Sequence, residues 1–470
     1  MFIRLLTFIS VFICATAQAQ ERPNILFIGV DDLKPLIGAY GIKEVITPNL
    51  DKLANESTVF QHAYTQWPVC GPSRASLLTG LRPESSGIMN LKDKLRIVNP
   101  NVVTMPELFR KNGYFTAASG KIFDSRNTDS KAAQDAPSWS VAYELPKKKV
   151  GKHIKDTDKR LAVLSIDALD KDFSDGSILQ RGIDLLEQAA KQDSPFFVAV
   201  GFEKPHLPFT CPKKYFDLYD PANLPIAPFQ DMPKGGKQEY ISFNSGELVK
   251  SYRKSVGVKY DGNNITESEQ RGLLHGYYAC TSFIDAQVGK LMAKLETTGQ
   301  ADNTIVVFWG DHGFHLGDHG MWGKHTAMEQ ALIVPLYFKV PGEKAQMVSS
   351  VAELTDIFPT LAELAGIETP ELEGVSQVAV ISGEKSAARD GAISVFKRMS
   401  SRVYSMRTER YRYSEWINVK TRNVEYTELY DLENDPLEKV NLATQATSSK
   451  NLAQLAKQLR ANSKGLKLLN

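Results

Sequence analysis

Four apolar runs set the rhythm of the chain. Ile25 to Val30, Phe115 to Ala118, Phe196 to Phe202 and Ile305 to Trp309 have strand length, and each stops abruptly at polar residues: Asp31-Asp32, Gly120-Lys121, Lys204-Pro205-His206 and Asp311-His312. Between them lie stretches with apolar residues at helical spacing. The clearest are 175–191, with Ile178, Ile183, Leu186 and Ala190, and 267–296, with Leu273, Leu274, Tyr277, Phe283, Ile284, Val288 and Leu291. Strands alternating with helices predict an α/β fold with a large, mostly parallel sheet covered on both faces. In such sheets the carboxyl ends of the strands share one rim, where ligands bind. The acids, the lysine and the histidines that end the four runs are therefore predicted to converge.

After about residue 385 the pattern changes to short alternating strands, "AISVF", "VYSMRTERYRYSEWI" and "YTELYDL", followed by a helix over 449–463. This predicts a smaller antiparallel subdomain over 386–470, closed by a terminal helix, beside a main domain over 20–385. The stretch 221–266 is rich in Pro, Gly and Asn and weakly periodic, which reads as a long surface excursion that could shape a cleft. Residues 1–19 differ from all of this. Arg4 precedes the apolar run Leu5 to Ile13, and Ala17-Gln18-Ala19 offers a small-x-small cleavage site, so the segment reads as a secretory signal peptide and the protein as exported, periplasmic or extracellular.

Composition narrows the function classes. The 470 residues are 42% hydrophobic and 23% charged, an ordinary globular balance, and nothing after the N-terminus is long and apolar enough to span a bilayer. The net charge of +2 falls to +1 once Arg4 leaves, which argues against a nucleic-acid partner. One local exception runs through Lys147, Lys148, Lys149, Lys152, Lys155, Lys159 and Arg160, against only Asp156 and Asp158; it reads as a solvated loop or as a contact for an anionic polymer. Of the 4 cysteines Cys14 falls in the signal, leaving Cys70, Cys211 and Cys280, an odd number for an oxidising compartment.

The chemistry sits at the ends of the runs. Adjacent carboxylates such as Asp31 and Asp32 are costly unless a cation neutralises them, and a hard divalent ion does so with oxygen ligands. Asp311-His312 ends another strand, and 4 of the 8 histidines fall between 312 and 325. Their spacing matches no zinc motif, and for His315, His319 and His325 loop structure or outer hydrogen bonding is the expected role. In "WPVCGPSRASLLTG", Pro72 suits the first turn of a helix closed by Gly80, so Cys70 lies at a helix N-terminus, with Arg74 one turn on. Residues alone thus describe a metal-assisted hydrolase of an anionic ester with Cys70 or a derivative as nucleophile, against the alternative of a structural cysteine.

Cys70-Gly71-Pro72-Ser73-Arg74 with Thr79-Gly80 closely resembles the sulfatase signature, in which the cysteine is oxidised to formylglycine. "PNILFIGVDDLKPLIGAYG", "TPNLDKLANESTVFQHAY", "GKIF", "GFEKPHLPF", "GDHGFHLGDHGMWGKH" and "ELYDLENDPLEKVNLA" extend the resemblance over residues 24 to 443, most similar to the iduronate-2-sulfatase-like branch. The resemblance implies an alkaline-phosphatase-like fold. It also implies one Ca²⁺ held by Asp31, Asp32, Asp311, His312 and the formylglycine (3-oxoalanine) made from Cys70 by a maturation enzyme.

On the same resemblance, Arg74 and Lys121 orient the aldehyde hydrate, and His206 and Lys324 grip the sulfate ester and assist the leaving oxygen. One hydroxyl of the hydrate attacks sulfur and the other expels sulfate. Where the branch has a histidine base, this chain has Asp124, and Phe314 stands where an aromatic wall of the substrate pocket is expected. The implied substrate is a sulfated carbohydrate, such as a 2-sulfated uronic acid or an algal polysaccharide like ulvan. A phosphonate or phosphodiester hydrolase and a non-catalytic binder of sulfated glycans are the alternatives.

Overall fold

The computed structural model describes residues 22–130, 132–147, 161–241, 247–252 and 265–469. The expected signal peptide and the basic run from Lys148 to Arg160 lie outside the described residues. Seven strands build the main sheet: β1 (Asn24–Val30), β2 (Thr58–Tyr64), β3 (Phe115–Gly120), β4 (Phe196–Phe202), β5 (Thr304–Gly310), β6 (Ile333–Lys339) and β7 (Gln346–Glu353), in the order β7-β2-β6-β5-β1-β4-β3. β1 runs parallel to β4 and β5, β3 to β4 and β7 to β2, whereas β6 is antiparallel to both its neighbours. Every residue of β1, β4 and β5 is buried, which is why these strands read as continuous apolar runs rather than as alternating ones.

Register carries the strand ends to a common rim. Val30 pairs with both Phe202 and Gly310, so Asp31, Glu203 and Asp311 leave the sheet at the same level. At the next strand Gly120 pairs with Gly201, and a Cβ on Gly201 would fall 2.1 Å from the carbonyl of Lys121. Only glycine permits that approach, which brings Lys121 in against its neighbours.

Helices cover both faces. Helix α3 (Glu267–Thr297) begins at a capping box, in which Thr266 Oγ1 accepts from the N–H of Glu269 and the Glu269 carboxylate accepts from that of Thr266. It buries Tyr277, Phe283, Val288 and Leu291 against one face, beside Ile178 and Leu186 of α2 (Ser174–Ala189). The other face takes α1 (Cys70–Thr79), whose Leu77 and Leu78 pack with Phe27, Phe197, Phe358 and Leu361.

The C-terminal part forms a four-stranded antiparallel meander, β8 (Ala392–Arg398), β9 (Ser401–Arg407), β10 (Tyr411–Asn418) and β11 (Val424–Asp431). The helix Ser449–Ala461 lays Leu455 and Leu459 on it. Trp67 and Val69 belong to the same apolar cluster, so this small sheet braces the segment that leads into Cys70. The described residues of the stretch 221–266 lie largely at the surface, as expected, and are anchored where Ile241 packs with Trp416 and Tyr426 and where Leu248 joins the main core.

Candidate active site

Helix α1 is buried along all ten residues and ends at Gly80 in the left-handed region, φ 64°. Its first turn delivers Cys70 and Arg74 to the rim. Arg74 is fully buried; its Nε donates to Asp311 Oδ2 at 2.9 Å, Nη2 to Asp31 Oδ1 at 3.3 Å, and Nη1 to the carbonyls of Lys121 and Ile122. Ser73 Oγ donates to the carbonyl of Asp311. One guanidinium thus ties together β1, β3, β5 and α1, which its planar five-donor fork can do and an ammonium cannot.

Around the Cys70 thiol, Lys121 Nζ lies 2.6 Å from Asp31 Oδ2, and Lys324 Nζ lies 2.6 Å from Asp32 Oδ1 and 3.5 Å from Sγ. His312 Nε2 is 3.3 Å from Sγ and 3.3 Å from Asp32 Oδ1. Its Nδ1 lies 3.0 Å from the carbonyl of Gly313, which can only accept; Nδ1 therefore carries the hydrogen and Nε2 turns into the cluster. One ligand atom each from Asp31, Cys70, Asp311 and His312 lie within 4.8 Å of one another, as do those of Asp31, Asp32, Cys70 and His206. Asp32 Oδ2 is buried without a hydrogen-bond partner, and Asp32 takes a left-handed backbone, φ 60°. Three carboxylates, one imidazole and an orphaned buried oxygen fit a divalent cation that favours oxygen ligands.

Charge balance sets the proton affinities. Burial opposes ionisation of Asp31, but Lys121, His206 and Arg74 outweigh it and hold the carboxyl well below the usual range. Asp32 is likewise drawn down to about 2 against its burial, by His206, Lys324 and His312. Burial, then Asp31, push the Cys70 thiol up, so as a thiol it is a poor nucleophile at neutral pH.

His206 is carried by the loop after β4. Asp175, buried in the first turn of α2, accepts from the N–H of Glu203 at 2.6 Å and of Lys204 at 3.4 Å, and Ser174 Oγ donates to Glu203 Oε2 at 2.9 Å. Lys204 Nζ donates to the carbonyls of His206 and Pro208.

Burial and then Glu203 raise Asp175 to about 6. With the folded value above the unfolded one, Asp175 holds its proton in the folded state where the unfolded chain has lost it, so its contribution falls as pH rises from about 4 to about 6. The stability of wild type relative to Asp175→Asn is expected to drop by about 3 kcal/mol across that window. Urea melts at several pH values measure the difference, and a flat one would refute the assignment.

The nine residues Asp31, Asp32, Cys70, Arg74, Lys121, His206, Asp311, His312 and Lys324, all predicted from sequence, meet here. Phe314 does not. It is 1% exposed, packed against Phe209 and Tyr277 with ring centroids 6.2 Å and 6.0 Å away, and is core rather than pocket wall, because Tyr277 of α3 covers it. His315 is also core; its Nε2 meets Thr326 Oγ1 at 2.8 Å and burial drives it down to about 3.

Asp124 lines the site, yet Arg126 grips it through Nε at 2.8 Å and Nη2 at 2.6 Å, with Lys121 Nζ at 3.7 Å. Burial opposes ionisation, but this fork and Lys121 hold Asp124 well below the carboxylate range, which suits an anchor better than a base. Cys211 and Cys280 are buried and unbridged, and after burial the Cys280 thiol pushes Cys211 further up.

Sequence reasoning missed Arg126 and Glu247. Both line the 430 Å³ cavity that opens on Asp31, Lys121, Asp124 and His206. Arg126 follows Asp124 by two positions and could have been flagged with it; Glu247 carries no motif.

Fold and cluster together define a hydrolase of anionic esters built on a doubly covered sheet, with its site at the strand ends. Residues 23–367 match the sulfatase family, and residues 317–465 match the N-sulphoglucosamine sulphohydrolase C-terminal family. The chain belongs to the sulfatase family and is a sulfuric ester hydrolase. It is 34% identical to iduronate 2-sulfatase of Homo sapiens over 397 residues, 75% of this chain and 70% of that one.

Two solved structures share the alkaline-phosphatase-like fold, each with a TM-score of 0.76 and 22% identity. One, solved in complex with its substrate D-glucosamine-2-N,6-O-disulfate, aligns over 95% of this chain and 98% of its own; the other, a phosphonate monoester hydrolase of Agrobacterium radiobacter, over 95% and 96%. Among the described residues no helix is long and apolar enough to cross a membrane.

Proposed function

We propose that the protein is an exported, periplasmic or extracellular sulfatase that hydrolyses sulfate esters of a carbohydrate, with residue 70 working as formylglycine and one Ca²⁺ bound beside it. The observation that carries the reading is the cage around Cys70 Sγ: His312 at 3.3 Å and Lys324 at 3.5 Å, with Asp31 and Asp311 beside them, in surroundings whose burial and carboxylates keep the thiol protonated. Relatives that act on sulfated sugars support the carbohydrate class, and the basic run near 147–160 is compatible with a polysaccharide. The catalytic machinery belongs to the 20–385 domain, and the 386–470 subdomain braces it.

Asp31, Asp32, Asp311, His312 and residue 70 would hold the ion, which supplies Lewis-acid polarisation of a sulfate oxygen. The hydrated aldehyde brings two hydroxyls, one to attack sulfur and one to release the product. Arg74 bridges Asp31 and Asp311 and fixes the angle between them. Lys121, held by Asp31, steadies the charge on the attacking oxygen. His206, its Nδ1 committed to the carbonyl of Leu207 at 2.7 Å, offers Nε2 to the ester, and Lys324 offers its ammonium from the other side of Asp32. These two bind the sulfate oxygens and give a proton to the departing alcohol. Asp124 keeps Arg126 and Lys121 in place.

The test is the release of inorganic sulfate from defined sulfated glycans, with peptide mass spectrometry reporting the aldehyde fraction at position 70. Release that scales with that fraction is expected. Release of phosphate or alkylphosphonate at equal or higher kcat/KM would move the protein to the phosphonate hydrolases.

A further inference from the structure

The two side chains assigned above to the ester are already in contact with a carboxylate that faces the cavity. Glu247 Oε1 lies 3.2 Å from His206 Nε2, and Oε2 lies 3.6 Å from Lys324 Nζ. Its side chain is 24% exposed and lines the cavity, whereas Asp32, 2.6 Å from Lys324 Nζ and 4.0 Å from His206 Nε2, is fully buried. Glu247 is anchored from its own segment: the next residue, Leu248, is 2% exposed in the main core, and the N–H of Tyr252 donates to the Leu248 carbonyl at 3.1 Å. Burial opposes its ionisation, but Lys324 and His206 outweigh burial and keep it below the ordinary carboxylate value.

A ligand that reaches His206 from the cavity, with the buried Lys324 ammonium close behind, therefore arrives beside a fixed negative charge. A carboxylate only accepts hydrogen bonds. It welcomes a hydroxyl there and repels a second anion, since like charges a few ångströms apart in a partly desolvated site interact strongly.

Resting on the sulfatase reading, we propose that Glu247 determines specificity: it selects sugar sulfates with a free hydroxyl on the carbon next to the ester and rejects those with a second sulfate or a carboxylate there. It acts as acceptor for that hydroxyl. Its sequence neighbourhood, weak in periodicity and free of motifs, hides the role, because only the folded chain brings position 247 to 206 and 324.

The test compares kcat/KM of the mature full-length chain for a methyl hexopyranoside 2-sulfate and its 2,3-disulfate, in wild type and Glu247→Gln. Wild type is expected to prefer the monosulfate by about tenfold or more, and the variant to narrow the ratio to about threefold by gaining more on the disulfate than on the monosulfate. A wild-type preference for the disulfate, or equal losses on both substrates in the variant, would overturn the proposal.

Calorimetry with inorganic sulfate gives a readout that needs no turnover. The Glu247→Gln variant should bind sulfate about tenfold more tightly than wild type, and equal affinity again overturns the proposal. No sulfate release from any ester, combined with tighter sulfate binding by the variant, would sink the sulfatase reading while leaving Glu247 as the anion discriminator.

Discussion

Replacing Cys70 with alanine is expected to lower sulfate-ester turnover by about 10⁴-fold or more while the thermal midpoint moves by a few degrees at most. The substitution removes the side chain proposed to react from a cage that otherwise stays intact. Arg74 still ties Asp31 to Asp311, and Lys121 and Lys324 still neutralise Asp31 and Asp32, so the fold keeps its charge balance. The alanine leaves only a small cavity at a buried helix start.

Cys70→Ser separates two roles. A serine hydroxyl in the same cage can accept the sulfuryl group but has no second hydroxyl to release it. That variant is expected to liberate at most one equivalent of alcohol per chain and then stop. Stopped-flow and steady-state assays on the same preparations measure both results, and full turnover by Cys70→Ala would exclude residue 70 as nucleophile.

Arg74→Ala is expected to destabilise the protein by about 3–5 kcal/mol and to abolish activity. Arg74 is wholly buried, and its removal leaves Asp31 and Asp311 facing each other without their shared partner and strips donors from the carbonyls of Lys121 and Ile122. Lysine should recover little of the loss, because one ammonium cannot serve two carboxylates and two carbonyls lying in different directions. Denaturant unfolding gives the figure. A variant with the wild-type midpoint would mean that other groups neutralise the pair. The effect should also grow with pH as the two carboxyls ionise fully, since an uncompensated buried charge, rather than a lost contact, is its source.

The legible part of the fold was the part buried on both faces. β1, β4 and β5 announced themselves as unbroken apolar runs because helices cover each side. β2 and β7 lie toward one edge and mix exposed with buried positions, and β6 carries Pro335 at an irregularity in its pairing with β2, the kind of residue that argues against a strand. These three escaped the pattern. Helices α2 and α3 were legible because a helical apolar stripe, and for α3 also a cap, are written locally.

For the site, sequence by itself determined which residues end the strands, and so which charges share one rim: Asp31 and Asp32, Lys121, His206, and Asp311 with His312, joined by Cys70 and Arg74 from their helix. Strand direction and helix capping are local properties, and the rim follows from them. Tertiary structure alone decided how those charges are paired. It put Phe314 under Tyr277 in the core and brought Glu247 against His206 and Lys324 from a stretch without a motif. Electrostatic and packing energies depend on distances of a few ångströms between groups tens to hundreds of residues apart, and no local pattern carries those distances.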